Sequence, residues 1–322
     1  MTAITPRESF IAALEHQTPI PGSRVPHWEL EFFLTMDAFG KVHPQHRDFR
    51  QWQQMSVRER ELQIQDVAGL YLAVAGRYEH SGIYIKGPRG WDEPAQRRLF
   101  EVIREQSGMQ YLLLVGGDST YGLPGGADMT GFVMQFADEP EKMKQQAQDG
   151  VMLMLERAER IQRWGTVDGF VLTSDYCFNR GPFFPPEMFA EFVTPYLAQL
   201  IGGYREAGFY TIKHTDGNIM PILDQLIACR PHALHSLDPQ GGVDIAEVKR
   251  LAGDKICLIG NVNCALMQTG SESEVVESAR YALKHGMPGG GYIFSTSNCI
   301  YSGMDLTRYE LIHKIWSEKS KY

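Results

Sequence analysis

The stretch YREAGFYTIKHTDGNI, from Tyr204 to Ile219, reads as the tail of a helix, a stop at Gly208, and an extended run that closes on polar side chains. Tyr210 and Ile212 alternate along the run, so His214 and Asp216 fall at the strand's end. Residues two apart on an extended chain point to one side, so these two side chains could converge on one ion or one substrate group. The same residues also fit an ordinary loop opening. Asp and Gly favour turns, Asn218 could cap the helix that follows, and an isolated His is more often structural than a ligand. Which reading holds depends on the unit being repeated, because strand-end polar residues carry function in one kind of fold above all.

The unit is repeated. Short apolar runs alternate with amphipathic helical patterns almost from end to end: RVPHWEL at Arg24, GIYIKG at Gly82, YLLLVGG at Tyr111, GFVLTSD at Gly169, FYTIKH at Phe209, HALHSLD at His232, KICLIGNV at Lys255 and GGYIFSTS at Gly290. Between them lie segments such as DIAEVKRLAG and SESEVVESARYALKHG, opened by Asp or Ser and closed by Gly. Strand then helix, repeated, predicts parallel pairing, and about eight such strands predict an α/β protein with a (β/α)8 TIM barrel. No fixed-period repeat and no Gly/Ser or Pro-rich linker divides the chain, which predicts a single domain over residues 1–322. A dinucleotide-binding fold would need a Gly-rich turn after its first strand, and VPHWELEFF contains no glycine.

A hydrophobic fraction of 43% supplies a large core and leaves no disordered tract. The net charge of −8, with no basic cluster interleaved with aromatics, argues against nucleic acid. The start lacks a basic segment followed by an apolar run, and no stretch is long enough to cross a bilayer, so a cytoplasmic location is expected. The five cysteines are scattered, with no C-x-x-C, and read as reduced thiols.

In a barrel, active-site residues sit at the C-terminal ends of the strands. Those ends read Glu29 and Glu31, Asp118, Asp175 with Tyr176, His214 with Asp216, His235 with Asp238, Asn261, and Asn298 with Cys299. Asp175, His235 and Glu29 are the candidate acids and bases. Trp28, Tyr176, Asp118 and Asn261 are candidate substrate contacts, with Phe32, Tyr121, Phe178, Phe183 and Phe184 near the mouth. Plain packing for the aromatics and backbone hydrogen bonding for the strand-end acids are the competing readings.

Four segments, TPRESFIAALEHQTPIPGSRVP, PPEMFAEFVTPYLAQLIGGYREAGFYTIKHTDGNI, LDPQGGVDIAEVKRLAGDKICLIGNVNC and GGGYIFSTSNCI, resemble the uroporphyrinogen decarboxylase superfamily over nearly the whole chain. The resemblance implies the barrel and a pocket at its C-terminal face. True uroporphyrinogen decarboxylases carry an Arg-rich segment after the first strand, whereas HWELEFFLTMDAFG is acidic and aromatic and would repel a polycarboxylate. The chain is more similar to the branch of cobalamin-dependent methyltransferases, which hold zinc with an H-x-C motif and a later Cys. That likeness implies zinc at His214, at Asp216 in place of the usual Cys, and at Cys299, which falls one residue beyond the expected position, taken here by Asn298. It implies methyl transfer between a small substrate, such as a methoxylated one, and cobalamin carried by a separate corrinoid protein, since no second domain here could bind it. A homodimer is also compatible. The alternative is a metal-free decarboxylase or lyase of a small carboxylic acid, with Lys213 and Arg180 as the nearby cations.

Overall fold

A computed structural model of the chain describes residues 4–125 and 129–322. In chain order its strands are β1 (Gly82–Ile85), β2 (Leu112–Gly116), β3 (Gly169–Leu172), the short pair β4 (Cys177–Phe178) and β5 (Gly181–Pro182), then β6 (Tyr210–Thr215), β7 (Ala233–Ser236), β8 (Cys257–Val262) and β9 (Tyr292–Thr296). Seven of them form one parallel sheet in the order β1-β2-β3-β6-β7-β8-β9, with helices in the connections. The expected alternation is therefore present, but with seven strands in the sheet rather than eight.

The run RVPHWEL accounts for the difference. It forms isolated parallel bridges instead of a strand: His27 pairs with His80 beside β1 and with Phe294 in β9, so the two edge strands of the curled sheet meet the same short segment. Pro26 lacks an N–H and can only accept, which it does from Phe294 at 2.9 Å, while Trp28 N–H donates to the Phe294 carbonyl at 3.0 Å. A ladder interrupted by proline and one residue deep on its β1 side does not extend into a strand.

Two apolar layers follow from the period of two along each strand. One lies inside the curl and holds Leu112, Leu114, Val171, Ile212, Ala233, Ile259 and Ile293, closed from below by Phe10 and Trp28. The other, including Val115, Phe170, Leu172, Leu234 and Leu258, packs against the helices. Capping follows the sequence signals: Ser56 and Ser271 each form a capping box with the Glu three residues on, and Asp244 caps Ile245–Ala252. No helix among the described residues is long and apolar enough to cross a membrane.

Candidate active site

The alternation that buries Ile212, Ala233, Ile259 and Ile293 inside the curl carries one layer further toward the strand ends. The next inward positions are His214, His235, Asn261 and Ser295, all buried. Register then matters: β6 and β7 pair so that His214 lies directly beside His235. Their Nδ1 atoms are 2.7 Å apart.

That contact fixes where the protons sit. The Thr296 carbonyl can only accept, and it lies 3.2 Å from His235 Nε2, so this nitrogen carries hydrogen. Burial, reinforced by His214, pushes the His235 pKa well below its usual value, so the ring is neutral and its Nδ1 is bare. His214 must therefore donate from Nδ1. Burial, with the nearby charges of Lys213 and Lys86, lowers the His214 pKa to about 3, so its Nε2 keeps a lone pair.

The lone pair faces two carboxylates. His214 Nε2 is 3.6 Å from Asp175 Oδ1 and 3.7 Å from Asp216 Oδ1, too far for hydrogen bonds and close enough for an ion between them. Ligand atoms of Asp175, His214 and Asp216 all lie within 4.8 Å of one another. Each acid is also held in place. Ser236 Oγ donates to Asp216 Oδ1 at 2.7 Å, the Asn298 amide donates to Asp216 Oδ2, and the Asp216 N–H donates to Asp175 Oδ1 at 3.0 Å. Burial and the charge of Asp175 raise the Asp216 pKa to about 7, and burial raises that of Asp175. Three electron-rich atoms that converge without a counter-charge suit a divalent cation, with three protein ligands and the exposed side of Asp175 left open.

The glycine of KHTDGNI has a steric role. Gly217 has φ +76°, and a Cβ there would lie 2.6 Å from the Cys177 carbonyl oxygen and 2.7 Å from that of Phe178. The β4–β5 hairpin therefore packs directly on the loop behind Asp216, with Asn218 N–H donating to the Phe178 carbonyl at 2.9 Å. Asn218 Oδ1 accepts from Met220 N–H, the turn-capping bond open to it from sequence.

Other sequence candidates fall elsewhere. Cys299 is not in the ligand cluster: its thiol donates to Glu31 Oε2 at 3.3 Å, and burial together with the Glu31 charge raises its pKa, away from the thiolate a metal would need. Asn298, one residue earlier, is the side chain that faces Asp216. Glu29 does not reach the cluster either, because its oxygens accept from Thr296 Oγ1 at 2.6 Å, Thr296 N at 3.1 Å and Ser295 Oγ at 3.2 Å, tying the first segment to β9. Trp28 is fully buried with its ring edge-on to His235, and Phe32 packs on Tyr78 and Tyr309 beside a small cavity that the Asp175, His214 and Asp216 side chains do not line. Asp118 and Tyr176 serve Lys213, whose ammonium lies 2.9 Å from Asp118 Oδ2 and 4.0 Å from the Tyr176 ring centroid. Asn261 donates to the Leu237 carbonyl at 2.9 Å. His235 acts on His214 and not on the open face of the site. Ser236 was missed by the sequence reading; its φ of +91°, rare outside glycine, is visible only in the folded chain.

Residues 167–316 match the family model for uroporphyrinogen decarboxylase (URO-D). That stretch, which holds β3 to β9 and the whole Asp175–His214–Asp216 cluster, is the part of the chain that is similar to this family. Its fold is similar to that of a methyltransferase from Methanosarcina mazei, with a TM-score of 0.75 and 16% sequence identity over 98% of this chain and 99% of that one. An α-amylase from Geobacillus thermoleovorans, complexed with acarbose, aligns at a TM-score of 0.46 and 9% identity over 80% of this chain and 72% of that one. No curated protein matches the sequence.

Proposed function

We propose that the chain is a zinc-dependent methyltransferase of this superfamily. In this reading a methyl group passes between a small methoxylated substrate and the cobalamin of a separate corrinoid protein, in the cytoplasm, and Asp175, His214 and Asp216 hold the metal. The first segment, bridged to both sheet edges, serves as the eighth stave of a closed (β/α)8 barrel.

One observation carries the reading: the His214–His235–Thr296 chain leaves a bare imidazole nitrogen aimed between two carboxylates that pair with no lysine or arginine among the described residues. When bound, zinc supplies Lewis acidity to the substrate's methoxy oxygen as the O–CH3 bond breaks. The residues supply the rest. His235 holds the tautomer of His214, Ser236 and Asn298 hold the Asp216 carboxylate, and the partly exposed Asp175 marks the side from which substrate enters. One imidazole and two carboxylates make a harder donor set than one containing thiolate, which favours an oxygen-bound methyl group over activation of a thiol.

The metal-free lyase reading needs a cation for its substrate's carboxylate. Lys213 is buried against Asp118, and Arg180 is exposed at the turn between β4 and β5. Elemental analysis of protein purified without chelator tests the proposal. About one zinc per chain is expected, lost in His214→Ala with the fold retained. Given that metal, transfer of methyl from methoxylated aromatics to the cob(I)alamin of a corrinoid protein is the activity to assay. A folded chain free of metal that decarboxylates a small acid would overturn the reading.

A further inference from the structure

Outside the curl, between the ends of β1 and β2 and the helices Glu93–Ser107 and Pro140–Gln162, lies a cavity of about 260 Å³. Its walls include Ile85, Phe100 and Val115, all from the outer apolar layer, so it is separate from the inward-facing cluster of Asp175, His214 and Asp216. Three polar side chains also line it, Arg157, Gln96 and Lys86, the last with its ammonium paired to Glu31 at 2.9 Å.

Arg157 is half-buried and forms no ion pair among the described residues. One N–H donates to the Gly116 carbonyl at 2.6 Å, and the remaining donors have no protein partner among the described residues. The acid that influences it electrostatically, Glu93, pairs with Arg160 at 3.5 Å. The Gln96 carboxamide likewise has no hydrogen-bond partner among the described residues. A guanidinium with spare donors, kept partly from water and facing an apolar chamber beside an unused amide, is a receptor for one negative charge on a hydrocarbon body.

We propose that this cavity binds a small apolar carboxylate, its carboxyl group on Arg157 and Gln96 and its hydrocarbon against Ile85, Phe100 and Val115. The site does not depend on the metal reading. Because Lys86 is already paired with Glu31, Arg157 is the one cation of the lining without an ion pair among the described residues, and with the apolar walls this favours a monoanionic carboxylate over a phosphate, which would need more donors to replace its water.

The test is calorimetric titration of the full-length His214→Ala protein with benzoate, so that no carboxylate binding at the proposed metal site contributes. Saturable one-to-one binding is expected, with benzamide much weaker. Arg157→Gln should weaken benzoate by about 10- to 100-fold, the loss of a charge-assisted hydrogen bond. Gly87→Val should abolish binding: a Cβ at Gly87 sits in ordinary contact with Trp91 at 3.4 Å and Gln96 at 3.7 Å, so a branched side chain enters the cavity while the Arg157–Gly116 bond is untouched. Should Arg157→Gln fail to fold, Gly87→Val and the benzamide comparison decide. No saturable binding up to about 10 mM, equal binding of benzamide, binding that requires His214, or binding indifferent to Gly87→Val would each overturn the proposal.

Discussion

His235→Phe isolates the role of the histidine pair in metal binding. Phenylalanine keeps the ring that packs edge-on against Trp28, at 5.3 Å between centroids, and removes the Nδ1 acceptor 2.7 Å from His214 Nδ1. The His214 N–H is then buried without a partner, which costs about 1–3 kcal/mol. The ring escapes that cost by moving its proton to Nε2, where the metal must displace it. Either way the expected loss is about 5- to 150-fold in zinc affinity, which brackets the 10–100-fold typical of a lost partner behind a ligating histidine. The assay is competition against a chromophoric chelator at fixed pH, with thermal melts in excess chelator to confirm that both proteins fold alike. His235→Gln restores an acceptor and should recover part of the affinity. A His235→Phe protein that folds normally and binds zinc within about twofold of the parent would refute the tautomer argument, and with it the reason for placing the metal at Nε2.

Asp118→Ala should cost more stability than Lys213→Met. The first strands a fully buried ammonium, at about 3–5 kcal/mol; the second leaves Asp118 with donors from Thr120 and Ser174 and costs about 1.5–3 kcal/mol, and equal costs in denaturant melts would contradict this. His232, lowered to about 4 by burial and then by Arg205, accepts from Thr211 N–H at 3.0 Å as a neutral ring. Its unfolded form binds the extra proton, so its stabilisation is complete above about pH 6.5 and is lost as pH falls to about 4; His232→Gln should flatten the pH dependence in that window by up to about 1.4 kcal/mol per pH unit, and an unchanged slope in urea melts would count against it. Cys299→Ser should leave the metal content unchanged, because the thiol is bonded to Glu31; a lost zinc complement would restore Cys299 to the ligand set.

What the sequence made legible was whatever depends on local period. The apolar runs located the seven strands of the sheet, and the spacing of two in H-x-D put His214 and Asp216 on one face with Asp175 at a neighbouring strand end. What it hid depends on contacts between residues far apart in the chain. Glu29 looked free at a strand end because its partners, Ser295 and Thr296, lie more than 260 residues away. His235 looked like an acid or base because the register that sets it beside His214 is a property of the paired strands and not of either one. Asn298 and Cys299 differ by one residue, and beyond the end of β9 no alternation rule says which of them turns inward. Pro26 is the local signal in RVPHWEL that the run does not complete a ladder.

The charges around the mouth of the curl argue for a cation there independently of any single ligand. Lys213 is neutralised by Asp118, and Lys86 by Glu31 at 2.9 Å. Among the described residues no lysine or arginine pairs with Asp175 or Asp216, and the histidine between them is neutral. The excess is negative and is concentrated on two carboxylates whose pKa values are already raised, so a polycarboxylate substrate meets repulsion where a divalent cation meets attraction. Replacing the H-x-C cysteine of the methyltransferase branch with Asp216 therefore does more than exchange sulfur for oxygen. In the proposed site the carboxylate would offer one oxygen to the metal while Ser236 and Asn298 hold its two oxygens, a double restraint for which a thiolate has no second atom. The Asp216 carboxylate is thus held without a thiol beside it, and Cys299 bonds Glu31 instead.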